Sequence, residues 1–342
     1  MYLAGCSAIL AIYSGVFLSA WIAGWLAWLL HRLPYGVCDD GALCQTSRSS
    51  GALLAASLQR DPIRDCSWAS REMSVSISLI VSTYEQPDSL GKVLKGISLQ
   101  EQWPREIFIT DDGSGEETRA LIEKWLRGAS VPVRHLWHPH DGFRKTQLLN
   151  QAVAAATGNY LVFLDGDCVP HEKFIAEHAA LAEQDFWVQG RRCYVEEKFV
   201  PQFEPGKTPI LSWIVACRIR GVAKAVHLPG PIILRNQKQR GIIGCNMAFW
   251  RADVLAVNGF DEAIAGRGIG PDSDLGTRVY NLGRRRKFVY GQAIVYHLNH
   301  PVAPRDNLEA KKQALAETIR TRKIRCEQGV EQYLEKCKGD TP

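Results

Sequence analysis

The chain has 342 residues, enough for one large α/β domain or two smaller ones. Its net charge of +5 suits an anionic small substrate or a membrane surface but is too small and too scattered to indicate nucleic acid as a partner. The ten cysteines include no CxxC pair, which argues against a zinc site and indicates reduced thiols in a cytosolic compartment.

The amino terminus is an apolar segment. Residues 2–30 carry no charged side chain, a run long enough to cross a bilayer as a helix. Three tryptophans lie toward its carboxyl end, and Arg32 follows, which under the positive-inside tendency places the rest of the chain in the cytosol. We therefore predict a transmembrane helix over residues 1–32, with the protein on the cytoplasmic side of the inner membrane.

Residues 33–74 have the composition of a linker or a poorly ordered segment, because they mix Gly, Ser, Arg and Cys with little periodicity. Met73 directly precedes the first clear strand. A second interpretation is therefore that translation begins at Met73 and that the upstream segment is not native. The protein would then be cytoplasmic, without a membrane helix.

From residue 75 onward, strand-like runs alternate with helices of 10–15 residues. This alternation indicates an α/β fold with a doubly wound, mostly parallel sheet flanked by helices. No GxGxxG or GxxxxGK[ST] loop follows the first strand, which argues against dinucleotide and P-loop folds. We expect strands at about 75–82, 106–110, 131–137 and 160–164, with helices at about 88–100, 116–127 and 145–156.

Polar segments follow three of these strands: Thr83-Tyr84-Glu85, Asp111-Asp112-Gly113-Ser114 and Asp165-Gly166-Asp167. In doubly wound sheets ligands bind at the carboxyl ends of the strands, so we expect these segments to line one pocket. Carboxylates one residue apart can present oxygen ligands to Mg²⁺ or a related cation. Asp-Gly-Asp is also good turn chemistry, so a plain turn remains the alternative.

Two basic segments have open interpretations. Arg144 and Lys145 precede a helix and could contact phosphate oxygens, or they are solvated surface cations. Residues 284–287 form a basic run that predicts a solvated turn or a contact with anionic lipid.

Regular signals become sparse in the second half. Pro229-Gly230-Pro231 and Gly241 are expected to bracket a flexible loop that closes over a substrate. Residues 287–295 are expected to form one strand, and residues 304–338 one or two charged helices.

Four segments in this order resemble a family 2 glycosyltransferase with the GT-A fold, over about residues 75–300. They are Ser82-Thr83-Tyr84, Asp111-Asp112-Gly113-Ser114, Gly142-Phe143-Arg144-Lys145 leading to Asn150, and Asp165-Gly166-Asp167. Later segments are most similar to the branch with chondroitin-type polymerases and a β-1,4-galactosyltransferase-like carboxyl half. These are residues 244–249, 258–262, 268–275 and 296–300.

The resemblance implies a role for each matching position. Donor contacts would come from Thr83, Tyr84 and Glu85 around the nucleotide, Asp112 on its base with Asp111 beside it, Asp165 and Gly166 near the ribose or sugar, and Arg144 and Lys145 near phosphate. Asp167 would bind Mn²⁺ or Mg²⁺ with the diphosphate, and His297 would be a further ligand, with His300 in a supporting role. Asp272 would be the general base.

The base segment departs from the branch pattern. Arg267 stands where Trp is usual, and Pro271 replaces the Glu before Asp272. Asp274, two residues further on, is therefore the reserve candidate for the base.

The resemblance implies an inverting, metal-dependent transfer from a nucleotide-sugar donor to a hydroxyl of a glycan or lipid-linked acceptor, in bacterial surface polysaccharide or lipopolysaccharide synthesis. Residues 75–170 would bind the donor, residues 171–303 the acceptor, and residues 304–342 would be a basic tail. Two alternatives remain: a sugar nucleotidyltransferase, and an inactive membrane-tethered sugar-binding protein.

Overall fold

The computed structural model describes residues 74–236, 241–264, 270–301 and 308–334. The predicted transmembrane helix over 1–32, nearly all of the predicted linker, and Met73 lie outside the described residues. None of the helices in the described stretches is long and apolar enough to cross a membrane.

The first half of the described chain alternates strands and helices, as the sequence predicts. Its elements are β1 (Ile77–Thr83), α1 (Pro87–Ser98), β2 (Glu106–Asp111), α2 (Glu116–Leu126), β3 (Val133–Trp137), α3 (Lys145–Ala155) and β4 (Tyr160–Asp165).

The second half contains shorter elements. They are β5 (Cys168–Pro170), α4 (Phe174–Leu181), β6 (Phe186–Gln189), β7 (Arg191–Val195), a 3₁₀ helix (Glu197–Gln202), α5 (Ile210–Val215), β8 (Ile219–Arg220), α6 (Val222–Ala225), β9 (Ile232–Asn236), β10 (Asn246–Trp250), α7 (Arg251–Ala256), α8 (Pro271–Asn281), β11 (Arg285–Tyr290), β12 (Ile294–Leu298) and α9 (Leu308–Thr321).

The strands form two sheets rather than the single sheet that the sequence predicts. The large sheet has the order β3-β2-β1-β4-β10-β6-β11-β9, and the small sheet has the order β5-β12-β7-β8. Strands β1 to β4 are mutually parallel, whereas β10 runs antiparallel to β4 and β6. The fold is therefore mixed α/β, with a mostly parallel large sheet flanked by helices.

Strand β1 is buried along its whole length because both faces of the large sheet are covered. Leu79 and Val81 pack into one hydrophobic cluster, and Ile80 between them packs into the other. Successive strand residues point to opposite faces, so a doubly covered parallel sheet requires apolar residues on both faces, as the run of residues 79–81 provides.

A buried amide connects the two sheets. The Asn246 Nδ2 atom, at the start of β10, donates to the carbonyl oxygens of Arg191 (3.0 Å) and Ala293 (2.7 Å), which lie in or next to strands of the small sheet. Its Oδ1 atom lies 3.1 Å from Nε2 of His178. A Cβ atom at Gly190 would lie 2.3 Å from this amide, so Asn246 has room only beside a glycine.

Three predictions for the second half are wrong. The single strand expected over 287–295 is two strands in different sheets, because the chain turns at Gly291 (φ +79°) and Ala293 (φ +48°). The expected loop after Pro231 contains β9, which pairs with β11 at the edge of the large sheet.

The basic run 284–287 is not the solvated turn that the sequence predicts, because three of its residues start β11. Lys287 is buried and bonds to Glu183 (2.6 Å), and Arg284 bonds to Asp253 (2.8 Å) and Asp185 (2.7 Å). The run instead leads into an internal strand, and two of its four charges have carboxylate partners.

The pH dependence of stability tests whether His178, the buried histidine in contact with Asn246, stays uncharged in the folded protein. Burial lowers the pKa of His178 to about 4, despite its hydrogen bond with Asn246. Between pH 8 and pH 5 the unfolded chain therefore takes up a proton that the folded chain excludes, which costs about 2 kcal/mol of unfolding free energy. The His178→Gln variant retains a donor for Asn246 but has no group that titrates in this range. Between pH 8 and pH 5, we expect its free energy of unfolding, measured in urea, to fall by about 2 kcal/mol less than that of wild type. Identical pH dependence in the two proteins would contradict the assignment.

Candidate functional site

The carboxyl ends of β1, β2 and β4 meet at one edge of the large sheet. In the parallel register Thr83 pairs with Asp111, and Ser82 pairs with Asp165. A Cβ atom at Gly166 would lie 3.0 Å from both the Ser82 carbonyl and the Thr83 side chain, so the absence of a side chain there allows the close approach. The three polar segments are thus brought together as the sequence predicts.

The segment after β1 stabilises the loop after β2. The Glu85 N–H donates to Ser114 Oγ (2.9 Å), and Glu85 Oε1 accepts from the Gly115 N–H (2.7 Å) at the start of α2. Tyr84 stacks on His140 with ring centroids 4.7 Å apart. The Thr83 hydroxyl is buried without a hydrogen-bond partner in the described part of the chain. Glu85 is therefore committed to the protein, whereas Thr83 retains hydrogen-bonding capacity for a ligand.

Asp111 is fully buried, and its carboxylate is bonded to other groups of the protein. Its carboxylate accepts from the Ser114 N–H (2.8 Å) and lies 3.2 Å from His135 Nε2. Burial raises its pKa, but these two partners together lower it below the ordinary value. The structure places Asp111 at the pocket edge but directs its carboxylate into the protein.

Asp112 is surrounded by donors from the loop after β3. The Arg144 N–H lies 3.2 Å from both carboxylate oxygens, and His138 Nε2 lies 2.7 Å from Oδ1. The Arg144 guanidinium donates to the Pro139 carbonyl, so it is held by the same loop. The sequence reasoning missed His138 and His140, although their position after a parallel strand indicated this edge.

Lys145 connects the carboxylates of the site. Its Nζ atom, in the first residue of α3, lies 2.6 Å from Asp165 Oδ1. Burial lowers the pKa of Lys145, but the negative charges of Asp165, Asp272 and Asp167 outweigh it and raise the pKa above its ordinary value. Lys145 is therefore a site cation with a carboxylate partner rather than a solvated surface residue.

Asp167, His297 and His300 form a three-residue cluster that could hold a metal ion. The Asp167 Oδ2 atom lies 3.4 Å from His297 Nε2 and 3.1 Å from His300 Nε2. One potential ligand atom from each residue lies within 4.8 Å of the others. His300 approaches Asp167 as closely as His297 does, a geometry that suits a third ligand as well as the supporting role expected from the sequence.

The protonation of this cluster suits a metal ion. Burial raises the pKa of Asp167, but the His300 hydrogen bond and the charge of His297 lower it to about 2. Burial lowers the pKa of His297, which favours the neutral imidazole that binds metals. The His297 Nδ1 atom is buried without a hydrogen-bond partner among the described residues.

Asp272 lies in the first turn of α8, facing Gly244. The Gly244 N–H donates to its carboxylate, and a Cβ atom at Gly244 would lie 2.1 Å from Asp272 Oδ2. Burial raises its pKa and Asp165 adds to the effect, while Lys145 and the Gly244 N–H oppose it. A carboxylate with a raised pKa, held near other polar groups, is suited to accept a proton.

Asp274 does not reach the site. Its Oδ2 atom accepts from Arg278 Nε (2.6 Å) and its Oδ1 atom from Thr318 Oγ1 (2.8 Å), and it is 1% exposed. Two residues along a helix correspond to about 200°, so Asp272 and Asp274 point to different sides of α8. The prediction that Asp274 is the reserve base is therefore wrong.

Two protein-family models match the chain. The model for glycosyl transferase family 2 matches residues 78–251, and the model described as the N-terminal domain of galactosyltransferase matches residues 234–301.

Known proteins are similar over parts of the chain. Chondroitin synthase from Escherichia coli is 25% identical over 244 residues, which cover 66% of this chain and 35% of that protein. CgeD from Bacillus subtilis is 29% identical over 139 residues, which cover 40% of this chain and 32% of CgeD. The chain thus spans about a third of the length of these relatives. The crystal structure of S. aureus TarS shares the fold, with a TM-score of 0.50, 15% identity and coverage of 75% of this chain and 41% of that chain.

The binding of Mn²⁺ tests the role of His300. We expect His300→Ala to weaken Mn²⁺ binding at least tenfold. Loss of a residue that only hydrogen-bonds to a metal ligand already costs about tenfold or more in metal affinity, and loss of a ligand should cost at least as much. Free Mn²⁺ in a titration, measured by electron paramagnetic resonance, gives the affinity. Asn299→Ala, in the same segment, is the control and should bind as wild type does. Unchanged affinity in His300→Ala would show that His300 takes no part in holding the ion.

Proposed function

Because the chain belongs to glycosyl transferase family 2, we propose that it moves a sugar from a nucleotide-sugar donor to an acceptor hydroxyl, with inversion at the anomeric carbon. The GT-A-like mixed α/β fold agrees with this activity. Neither the nucleotidyltransferase nor the inactive sugar-binding protein gains support from the family match.

One observation carries the proposal. The charge of Lys145 acts on both parts of the site. One part is a cluster suited to a metal ion, Asp167 with its two histidines, and the other is a half-buried carboxylate with a raised pKa, Asp272. Transfer from a nucleotide sugar needs both parts, since negative charge develops on the departing diphosphate while the acceptor hydroxyl loses a proton.

Mn²⁺ fits the cluster better than Mg²⁺. Mg²⁺ takes oxygen ligands almost exclusively, whereas Asp167 is accompanied by two imidazoles. Asp167, His297 and His300 would hold the ion. When bound, the ion would supply positive charge to the diphosphate of the donor.

The residues of the chain supply the remaining parts of the reaction. The bond between the anomeric carbon and the diphosphate oxygen breaks with its electron pair on that oxygen, and the acceptor oxygen forms the new bond. Asp272 takes the proton of the acceptor hydroxyl. A single base on the face opposite the leaving group gives one displacement and therefore inversion.

The donor contacts divide between two groups of residues. Thr83, Tyr84 and Asp112 would surround the nucleoside end, with Glu85 and Arg144 fixing the loops around it and Asp111 supporting the loop after β2 from inside the protein. Asp165, Gly166 and Lys145 lie toward the sugar and diphosphate. The split between a donor half (75–170) and an acceptor half (171–303) remains a prediction.

The acceptor is a glycan or a lipid-linked sugar, in bacterial surface polysaccharide or lipopolysaccharide synthesis. The similarity to chondroitin synthase over 66% of the chain supports a glycan acceptor. The membrane contact and the cytoplasmic-side location rest on residues 1–32 alone and stay predictions from the sequence.

Two conservative substitutions distinguish the function of Asp272, the proposed base, from that of Asp274. Asp272→Asn should lower the rate of nucleoside diphosphate release at least a hundredfold with donor binding retained, because the amide cannot accept the proton. Asp274→Asn should retain turnover per folded molecule but lower stability, because the buried Arg278 loses its charged partner. Initial rates, binding of nucleoside diphosphate and thermal unfolding check both variants. Full activity of Asp272→Asn would contradict the assignment of the base.

A further inference from the structure

Arg192 shares a face of the small sheet with the predicted metal cluster. Strands β7 and β12 are parallel, with Tyr194 opposite His297. Alternate residues of a strand point to the same face, so Arg192, Tyr194 and His297 lie on one side of the small sheet. The ring centroids of Tyr194 and His297 are 5.3 Å apart.

The guanidinium of Arg192 carries a permanent charge, but its partners in the protein are weak. Its Nε atom donates to the Tyr194 hydroxyl (2.9 Å), and its Nη1 atom lies 3.6 Å from Cys245 Sγ. Among the described residues it forms no ion pair, and its side chain is only partly exposed. A guanidinium is always charged and matches the geometry of carboxylate or phosphate oxygens.

Two other arginines with little exposure have carboxylate partners. Arg278 is buried against Asp274 at 2.6 Å, and Arg284 bonds to two aspartates. Lys145, the other site cation considered above, is paired with Asp165. In the part of the chain that the structure describes, Arg192 is thus a cation at this site that lacks an anionic partner from the protein.

Arg192 lies close to both the metal cluster and the segment that contacts the base. Its Tyr194 partner packs against His297, and its sulfur contact, Cys245, directly follows Gly244, which donates to Asp272. The guanidinium therefore lies on the side of the small sheet that faces the candidate site.

We propose that Arg192 binds the β-phosphate of the donor and offsets the negative charge that this phosphate gains as the sugar leaves. The inference rests on the proposed function. When the bond to the anomeric carbon breaks, its electron pair stays on the β-phosphate oxygen, so the departing nucleoside diphosphate carries one more negative charge than it did in the donor. Asp165, Asp167 and Asp272 already supply negative charge here, so an unpaired cation opposes their repulsion of the diphosphate.

The test compares a diphosphate with its monophosphate. Binding of UDP and UMP, and of GDP and GMP, is measured by calorimetry with Mn²⁺ present, using the full chain. We expect Arg192→Gln to weaken binding of the diphosphate that wild type prefers at least tenfold and to change the affinity for its monophosphate less than twofold. Arg192→Lys, which keeps the charge but loses the planar fork, should lie between.

Arg191→Gln is the matched control, because Arg191 is adjacent on β7, points to the other face and stacks on Phe288 at 4.3 Å. It should bind both nucleotides as wild type does, and thermal unfolding checks that each variant is folded. Wild-type diphosphate affinity in Arg192→Gln, or an equal loss for diphosphate and monophosphate, would overturn the role of Arg192. Failure of the wild-type protein to bind either diphosphate would instead overturn the proposed function itself.

Discussion

The geometry of the site depends on the buried amide of Asn246, because the candidate functional groups belong to two sheets. Asp165 ends a strand of the large sheet, while His297 lies on a strand of the small one. Asn246 starts a central strand of the large sheet, and its amide donates to two carbonyls next to small-sheet strands. A buried amide with its hydrogen bonds satisfied fixes one arrangement, since any shift leaves polar groups unpaired. The room for this amide beside Gly190 is part of the same constraint.

Similar carboxylates of the site are suited to different functions because their surroundings shift their pKa values in opposite directions. Asp167 keeps its charge because two histidines outweigh burial, whereas burial and Asp165 raise the pKa of Asp272. The first environment favours holding a cation and the second favours accepting a proton. Lys145 limits the repulsion between them. Arg192 extends this pattern, since it supplies charge where a departing diphosphate would need it.

The sequence predicted the first half of the fold well because β1 to β4 alternate with helices and carry local signals. The prediction from the sequence failed where contacts between distant parts of the chain determine the structure. The turn at Gly291 and Ala293 sends β12 to a second sheet, which no local pattern indicated. Asp274 was the reserve candidate for the base in the sequence, yet α8 directs it toward Arg278. The approach of His300 to Asp167 likewise brings together two residues that are 133 positions apart in the chain.

The anomeric configuration of the first product tests the central claim most directly. With one base and one displacement, the new glycosidic bond should be inverted relative to the nucleotide-sugar donor. The measurement is the configuration of the new bond by nuclear magnetic resonance, before the product can equilibrate, with nucleoside diphosphate released in equal amount. Inversion is the result that the account predicts. Retention would contradict it, because retention needs a second displacement or a front-face attack, for which Asp272 as a lone base has no role.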